Sequence, residues 1–125
     1  MLTKLNVRQN IEDLRKKCWF QDDYFDLFIW QNDASQITNF QLCYDRLGNE
    51  HVISWDYERG FGHYRIDSGE DSPHKNMSPV FVSDELFLSH EVKLKFVQSS
   101  GHITQDVSSF ITQKLDEYYQ LQQLM

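Results

Sequence analysis

The chain has 125 residues and a formal net charge of -7, and 40% of its residues are hydrophobic and 14% aromatic. That length suits one core, and we predict a single α+β domain over residues 1–125. The number of aromatic residues favours a folded protein over a disordered one, and the negative charge opposes long-range attraction to nucleic acid or to an anionic membrane.

The two cysteines, Cys18 and Cys43, are too few and too far apart for a zinc ribbon or a redox pair. No charged, apolar and small-residue sequence opens the chain, so no signal peptide is predicted. The longest apolar run is far below the roughly 18 residues that a membrane-spanning helix needs. These features predict a cytoplasmic protein with no membrane segment and with buried, unreactive cysteines.

The first element in chain order has the pattern of an amphipathic helix, in which apolar residues recur every three or four positions. That spacing is met by Val7, Ile11, Leu14 and Cys18, and Asn6 precedes them in a capping position. The sequence therefore predicts an N-terminal helix.

Four runs typical of β-strands follow, at residues 24–30, 37–44, 51–57 and 63–67. The first is apolar almost throughout, which suits burial on both faces, and the next two alternate apolar with polar residues. Gly48 and Asn49 mark a turn, and Gly60 and Gly62 bracket a tight reversal. Because the connections are too short for parallel crossovers, the sequence predicts an antiparallel meander of about four strands.

The last third of the chain is predicted to be helical. Ser89 suits the start of a helix that runs to Ser99, although alternating apolar residues at 92, 94 and 96 leave a strand open there. Thr104 caps a second helix, whose apolar stripe consists of Val107, Phe110, Ile111, Leu115 and Tyr118. The whole pattern predicts an α+β fold in which the C-terminal helices pack on one face of the sheet.

Polar side chains gather on the third and fourth predicted strands. Alternate residues of a strand share a face, which groups His63, Arg65 and Asp67. The third strand groups Ser54, Asp56 and Glu58 in the same way. A hairpin around Gly60 would let the two polar sets meet, in a register that the sequence leaves open.

These side chains have the parts for acid–base chemistry on a phosphodiester. His63 is the candidate for proton transfer, because histidine titrates near neutral pH. Arg65 suits bidentate contact with a phosphate, and Glu58 or Asp67 is the candidate second acid–base group. The alternative interpretation is a solvated sheet face that is tied together by cross-strand ion pairs.

No cofactor or metal motif is predicted. Glu70, Asp71 and His74 offer metal ligands beside His63 and Asp67, but their spacing matches no metal motif, so we interpret them as polar residues of a surface loop. Gly60-Phe-Gly62 is interpreted as a hairpin reversal, because no helix follows it to bind a phosphate.

The three tryptophans, Trp19, Trp30 and Trp55, are interpreted as core residues. A base-stacking platform needs exposed rings next to basic residues. In this sequence the aromatic residues mostly stand beside acids, as in Asp22-Asp-Tyr-Phe-Asp26.

The segment Trp55-Asp-Tyr-Glu-Arg-Gly-Phe-Gly-His-Tyr-Arg-Ile-Asp67 resembles a stretch of small bacterial toxin components of the TumE type, aromatic-Asp-x-Glu-x-Gly-x-x-His-x-Arg/His. His63 and Arg65 carry the likeness. The sequence departs from the pattern in its longer loop at residues 68–79 and in its additional helix. The resemblance implies a bacterial cytoplasmic protein that has an antitoxin partner and acts on RNA. The alternative is an uncharacterised family that shares the Gly-Phe-x-His-x-Arg-x-Asp stretch.

Two functional hypotheses follow. The first is a toxin-like nuclease that uses His63, Arg65, Asp67 and Glu58. The second is a non-catalytic interaction protein, such as an inhibitor, an immunity protein or an antitoxin-like partner, whose net charge of -7 steers it to a basic partner. A homodimer formed through the C-terminal helix is compatible with either hypothesis.

Overall fold

The computed structural model describes residues 1–7, 14–66 and 89–123. The described residues form six strands, β1 Thr3–Leu5, β2 Lys16–Gln21, β3 Phe25–Gln31, β4 Ile37–Tyr44, β5 His51–Asp56 and β6 Gly60–Arg65. Two helices follow, α1 Ser89–Ser99 and α2 Gln105–Gln123. The architecture is α+β, as the sequence predicts.

The strands form one antiparallel sheet in the order β1-β2-β3-β4-β5-β6, so each strand pairs with its neighbours in sequence. The predicted meander is confirmed, because connections this short permit only antiparallel neighbours. The predicted count of four strands is too low among the described residues. The two additional strands, β1 and β2, precede the first strand that the sequence predicts.

The predicted N-terminal helix is wrong where the structure describes it. Cys18 belongs to strand β2 and pairs with Ile29, and Leu14, which the helical stripe required to be buried, is 84% exposed. Residues 8–13 lie outside the described part of the chain. The helical spacing is overridden because pairing with the apolar strand β3 satisfies the backbone of β2 and buries Cys18 and Phe20 on one side.

The core lies between one face of the sheet and the two helices. Val92 and Phe96 of α1 and Ile111 and Leu115 of α2 are buried in it, which confirms both predicted C-terminal helices and their inward sides. The strand that the sequence left open near Leu94 is absent there, because α1 spans Ser89–Ser99.

The last hairpin differs in detail from its prediction. The turn spans residues 57–59, and Gly62 lies inside strand β6 rather than beside the reversal. Gly60 has a φ of 83°, a left-handed conformation that glycine adopts without steric cost. This turn sets the register of β6 against β5 and so fixes which face of the sheet each polar side chain occupies.

Candidate functional site

The two faces of the sheet have different surroundings. Directly paired residues of antiparallel strands lie on the same face. We call the face that packs against α1 and α2 the covered face, and its central row is Leu27, Leu42, Ile53 and His63. We call the opposite face the open face, and its central row is Trp19, Phe28, Gln41, Ser54 and Gly62.

The register separates the two polar sets that the sequence groups around the last hairpin. His63 pairs with Ile53 on the covered face. Ser54 pairs with Gly62, and Asp56 pairs with Gly60, on the open face. The strand residues of the two sets that the structure describes therefore lie on opposite sides of the sheet and do not meet across the ladder.

Among the predicted site residues that the structure describes, His63 is the most buried, with 2% of its surface exposed. Its Nε2 lies 2.6 Å from the Oη of Tyr44, so the ring and the hydroxyl share a hydrogen bond. The two rings are nearly parallel, with an interplanar angle of 6°. The imidazole of His63 on strand β6 is thus hydrogen-bonded to the phenol of Tyr44 on strand β4.

His51 completes a group of three side chains, Tyr44, His51 and His63, which we call the histidine cluster. The His51 ring centroid lies 5.5 Å from that of Tyr44 and 5.6 Å from that of His63, with interplanar angles of 15°. Nδ1 of His51 lies 2.8 Å from the carbonyl oxygen of Asn49. Since a carbonyl only accepts, Nδ1 carries the proton of this hydrogen bond.

Helix α2 packs against the histidine cluster through Tyr118. The ring of Tyr118 lies 6.0 Å from that of His63 and 5.3 Å from that of Phe61, measured between centroids. Burial raises the pKa of Tyr118 above its ordinary value. The buried ring of His63 thus lies between two half-buried tyrosines, Tyr44 and Tyr118.

The other predicted site residues are dispersed. Arg65 is exposed and pairs with His51, which places it at the same end of the hairpin as the histidine cluster. Glu58 lies in the turn at the opposite end of that hairpin, where its carboxylate accepts a 2.7 Å hydrogen bond from the Tyr57 hydroxyl. Asp67 lies outside the described residues. The structure thus brings Arg65 near His63 and keeps Glu58 away from it.

Sequence reasoning missed Tyr44 and His51, which received no functional role. One signal was available, because these two residues stand on either side of the turn predicted at Gly48 and Asn49, and they pair directly across it. The approach of His51 to His63 had no such signal, since it depends on the register of β5 against β6.

The open face corrects part of the interpretation of the tryptophans. Trp55 packs against the core and contacts Phe110 of α2, as predicted, with a centroid distance of 5.3 Å. Trp19 and Trp30 instead lie half-buried on the open face, where they flank Phe28. Neighbours in sequence did not reveal this, because alternate residues of a strand point to opposite faces.

Cys43 is a buried thiol with low reactivity. Burial raises its pKa to about 12, and the nearby carboxylates of Glu50 and Asp26 act in the same direction. A thiol with so high a pKa is protonated near neutral pH and is a poor nucleophile. The geometry therefore gives no support to catalysis by this cysteine.

The described residues contain no group of three or more histidine, cysteine, aspartate or glutamate side chains arranged to hold a metal ion. Of the side chains considered as metal ligands, Asp67, Glu70, Asp71 and His74 lie outside the described part of the chain. Within that part, no helix has the length and apolar character needed to cross a membrane.

Comparison with known proteins found no matching family model, no matching curated protein and no matching solved structure.

Proposed function

We propose that this chain is a small bacterial cytoplasmic protein of toxin type that acts on RNA by acid–base chemistry. The observation that carries the proposal is the 2.6 Å hydrogen bond between Tyr44 Oη and His63 Nε2. It involves the histidine on which the resemblance to TumE-type toxin components rests. A hydroxyl bonded to an imidazole can pass a proton in either direction, which is the basic requirement of acid–base catalysis.

In this proposal the histidine cluster moves protons and Arg65 holds the phosphate. His63 accepts the proton of the attacking 2′-hydroxyl through the hydroxyl of Tyr44, as the bond between that oxygen and phosphorus forms. The bond from phosphorus to the 5′-oxygen breaks, and a second acid–base group returns a proton to that oxygen. Asp67 keeps this second role, since Glu58 lies at the far end of the hairpin.

The proposed partner is an antitoxin with a basic surface. A net charge of -7 favours association with a positively charged protein over association with a negatively charged one. An antitoxin bound near Arg65 would shield that side chain from RNA. A second copy of this chain, docked through helix α2, remains a further proposed partner, with exposed Tyr119 and Leu121 available on that helix.

The second candidate function is a non-catalytic interaction protein. It is favoured by the burial of His63, whose ring is enclosed by Tyr44, His51 and Tyr118 in the manner of a structural residue. In that case the histidine cluster stabilises the end of the sheet, and the acidic surface binds a basic partner.

Expression in a bacterial host separates the two functions. We expect the wild-type chain to slow growth and to fragment RNA, and we expect Arg65→Gln and Tyr44→Phe to relieve both effects. Arg65 is exposed, so its replacement leaves the fold intact. His102→Ala, which removes an exposed histidine outside the site, is the matched control and should behave as wild type. Equal growth and intact RNA for the wild type and every variant would contradict the enzyme, and recovery of a basic partner in a pull-down would then support the interaction protein.

A further inference from the structure

A groove lies at one end of the sheet, beside the turn that joins strands β5 and β6. It has a volume of about 1170 Å³ and is bounded by the connection between β3 and β4, by residues 56–58 and by the first turns of helix α2. We call it the turn groove. It lies at the opposite end of the sheet from the histidine cluster, because Tyr44 pairs with His51 at one end of the β4–β5 ladder and Asn39 pairs with Asp56 at the other.

Part of the turn groove is apolar. Ile37, Val107 and Phe110 line it, and each of them packs against the core while part of its surface stays exposed. Tyr57 also lines the groove, with 64% of its surface exposed. Such a surface suits the methylene stem of a long charged side chain, which packs its carbons against apolar groups and keeps its charge in water.

Three carboxylates line the same groove, those of Asp56, Glu58 and Asp106. Oδ1 of Asp56 accepts hydrogen bonds from two backbone N–H groups of the turn, at 2.8 and 3.2 Å, which fix this side chain in place. The hydroxyl of Tyr57 donates a 2.7 Å hydrogen bond to Glu58, so an aromatic ring and a carboxylate are held side by side. Asp106 adds a third negative charge from the exposed first turn of α2.

Negative charge exceeds positive charge among the described residues of the turn groove. Arg15 also lines it, and its Nη1 donates a 3.0 Å hydrogen bond to Asn39 Oδ1. The hydrogen bond to Glu58 and the charges of Glu58 and Asp56 raise the pKa of Tyr57 above its ordinary value, although Arg15 acts in the opposite direction. The described lining thus combines three carboxylates, one guanidinium and an apolar surface, which together complement a cation on an apolar stem.

An arginine side chain fits this combination better than a lysine side chain does. Its planar guanidinium binds a carboxylate through two parallel hydrogen bonds, stacks on an aromatic ring and is more weakly hydrated than an ammonium group. Tyr57 and Glu58 offer the ring and the carboxylate in one place. The methylene groups of the same arginine suit the apolar surface of Ile37 and Val107.

We propose that the turn groove binds an arginine side chain of a basic protein partner, with the guanidinium on the carboxylates of the groove and on the ring of Tyr57. The inference rests on the proposed function for the existence of a basic partner, which both candidate functions share. Arg65 lies at the opposite end of strand β6 from Gly60. A partner that occupies the groove and also shields Arg65 therefore extends along the last hairpin.

The test is a titration of the isotope-labelled chain with the blocked tripeptide Ala-Arg-Ala, followed by nuclear magnetic resonance. A second tripeptide carries citrulline, in which a neutral urea group replaces the guanidinium at the same size. We expect the arginine peptide to shift the backbone N–H resonances of Tyr57, Glu58 and Val107 in a saturable manner. The citrulline peptide should bind about fivefold more weakly, the factor expected for the loss of one exposed ion pair.

Glu58→Gln and Asp106→Asn each keep the size of the side chain and remove one charge. Each should weaken binding of the arginine peptide about two- to fivefold, with a smaller effect on the citrulline peptide. Asp23→Asn is the matched control, because it makes the same change in net charge. Asp23 is exposed in the connection between β2 and β3, at the opposite end of the sheet, so we expect this variant to bind as wild type does. The backbone N–H spectrum of each variant verifies that the fold is retained.

The inference is overturned if the arginine peptide causes no saturable shift at the turn groove, or if the citrulline peptide binds as tightly. It is also overturned if Glu58→Gln and Asp106→Asn bind the arginine peptide as tightly as Asp23→Asn does. The growth and RNA assay keeps the two proposals apart. Peptide binding by a chain that neither slows growth nor fragments RNA contradicts the nuclease alone, whereas RNA fragmentation by a chain that does not bind the peptide contradicts the arginine site alone.

Discussion

His63 receives contacts from three elements of the fold. Tyr44 on β4 bonds to its Nε2, His51 on β5 lies parallel to its ring, and Tyr118 on α2 covers it. A polar ring that is 2% exposed is tolerated only when its nitrogens are hydrogen-bonded, so the Tyr44 hydroxyl contributes to stability, apart from the proton transfer proposed for it.

We expect Tyr44→Phe to lower the free energy of unfolding by about 1 to 2 kcal/mol, because it removes a hydrogen-bond partner from a buried imidazole nitrogen. Urea unfolding followed by tryptophan fluorescence measures this. Tyr57→Phe is the control, since Tyr57 is exposed and its hydroxyl bonds at the surface to Glu58, and it should leave the free energy of unfolding unchanged within experimental error. Equal effects of the two changes would contradict the buried hydrogen bond.

Cys43 makes the free energy of unfolding depend on pH in the alkaline range. In the unfolded chain its thiol titrates near pH 9, and in the folded chain its pKa is raised to about 12 by burial. Below pH 9 both states keep the proton and the contribution is fully present. As the pH rises from about 9 toward about 12 the unfolded state binds fewer protons, so the free energy of unfolding falls by up to about 1.4 kcal/mol per pH unit.

We expect Cys43→Ala to remove this part of the decrease in the free energy of unfolding at alkaline pH. Urea unfolding of wild type and variant in reducing buffer, from about pH 8 to about pH 10, gives the two slopes. The difference measured near pH 8 gives the packing cost of the substitution alone. Parallel slopes across the range would contradict the assignment to Cys43.

Among the secondary-structure elements, strands with strict alternation and helices with a broad apolar stripe were predictable. β4 has the bounds that alternation predicts, and α2 buries Ile111 and Leu115 of its predicted stripe. The N-terminal helix failed because its stripe contained only four apolar residues, and the last of them, Cys18, alternates with Phe20 toward the core in strand β2. Whether a short apolar segment forms a strand depends on whether another strand can pair with it, and β2 pairs with β3 over its whole length.

Helix α1 has a buried and an exposed side, which a pair of substitutions distinguishes. We expect Phe96→Ala to lower the free energy of unfolding by about 3 to 5 kcal/mol, because Phe96 is fully buried and meets Phe25 edge to face at 6.0 Å. Leu94→Ala, on the 59% exposed side of the same helix, should change it by less than about 0.5 kcal/mol. Chemical denaturation of both variants is the measurement, and a large loss from Leu94→Ala would contradict the inward side of α1.

At the scale of the whole molecule, the sheet separates two environments. The covered face shares one apolar core with both helices, which includes Leu27 and Ile53 of the sheet together with Val92 and Leu115 of the helices. The open face carries half-buried rings and polar side chains instead, among them Trp19, Phe28 and Gln41. The histidine cluster therefore lies on the other side of the sheet from these rings.

We expect the chain to unfold in a single transition, as the predicted single domain requires. The helices bury their apolar stripes in one core together with the sheet, so neither layer is expected to be stable without the other. Urea unfolding followed by tryptophan fluorescence, which reports on the sheet, should coincide with unfolding followed by helical circular dichroism. Separate midpoints would contradict a single cooperative unit.

The sequence by itself determined the α+β class, the antiparallel meander and the two C-terminal helices, because local periodicity and short connections govern them. It also singled out His63 and Arg65 as residues at one end of a hairpin. The tertiary structure alone decided the additional strands, the approach of Tyr44 and His51 to His63, and the distance of Glu58 from them. These features depend on strand register and on pairing between residues far apart in sequence, and a shift of one residue would have moved every side chain to the other face.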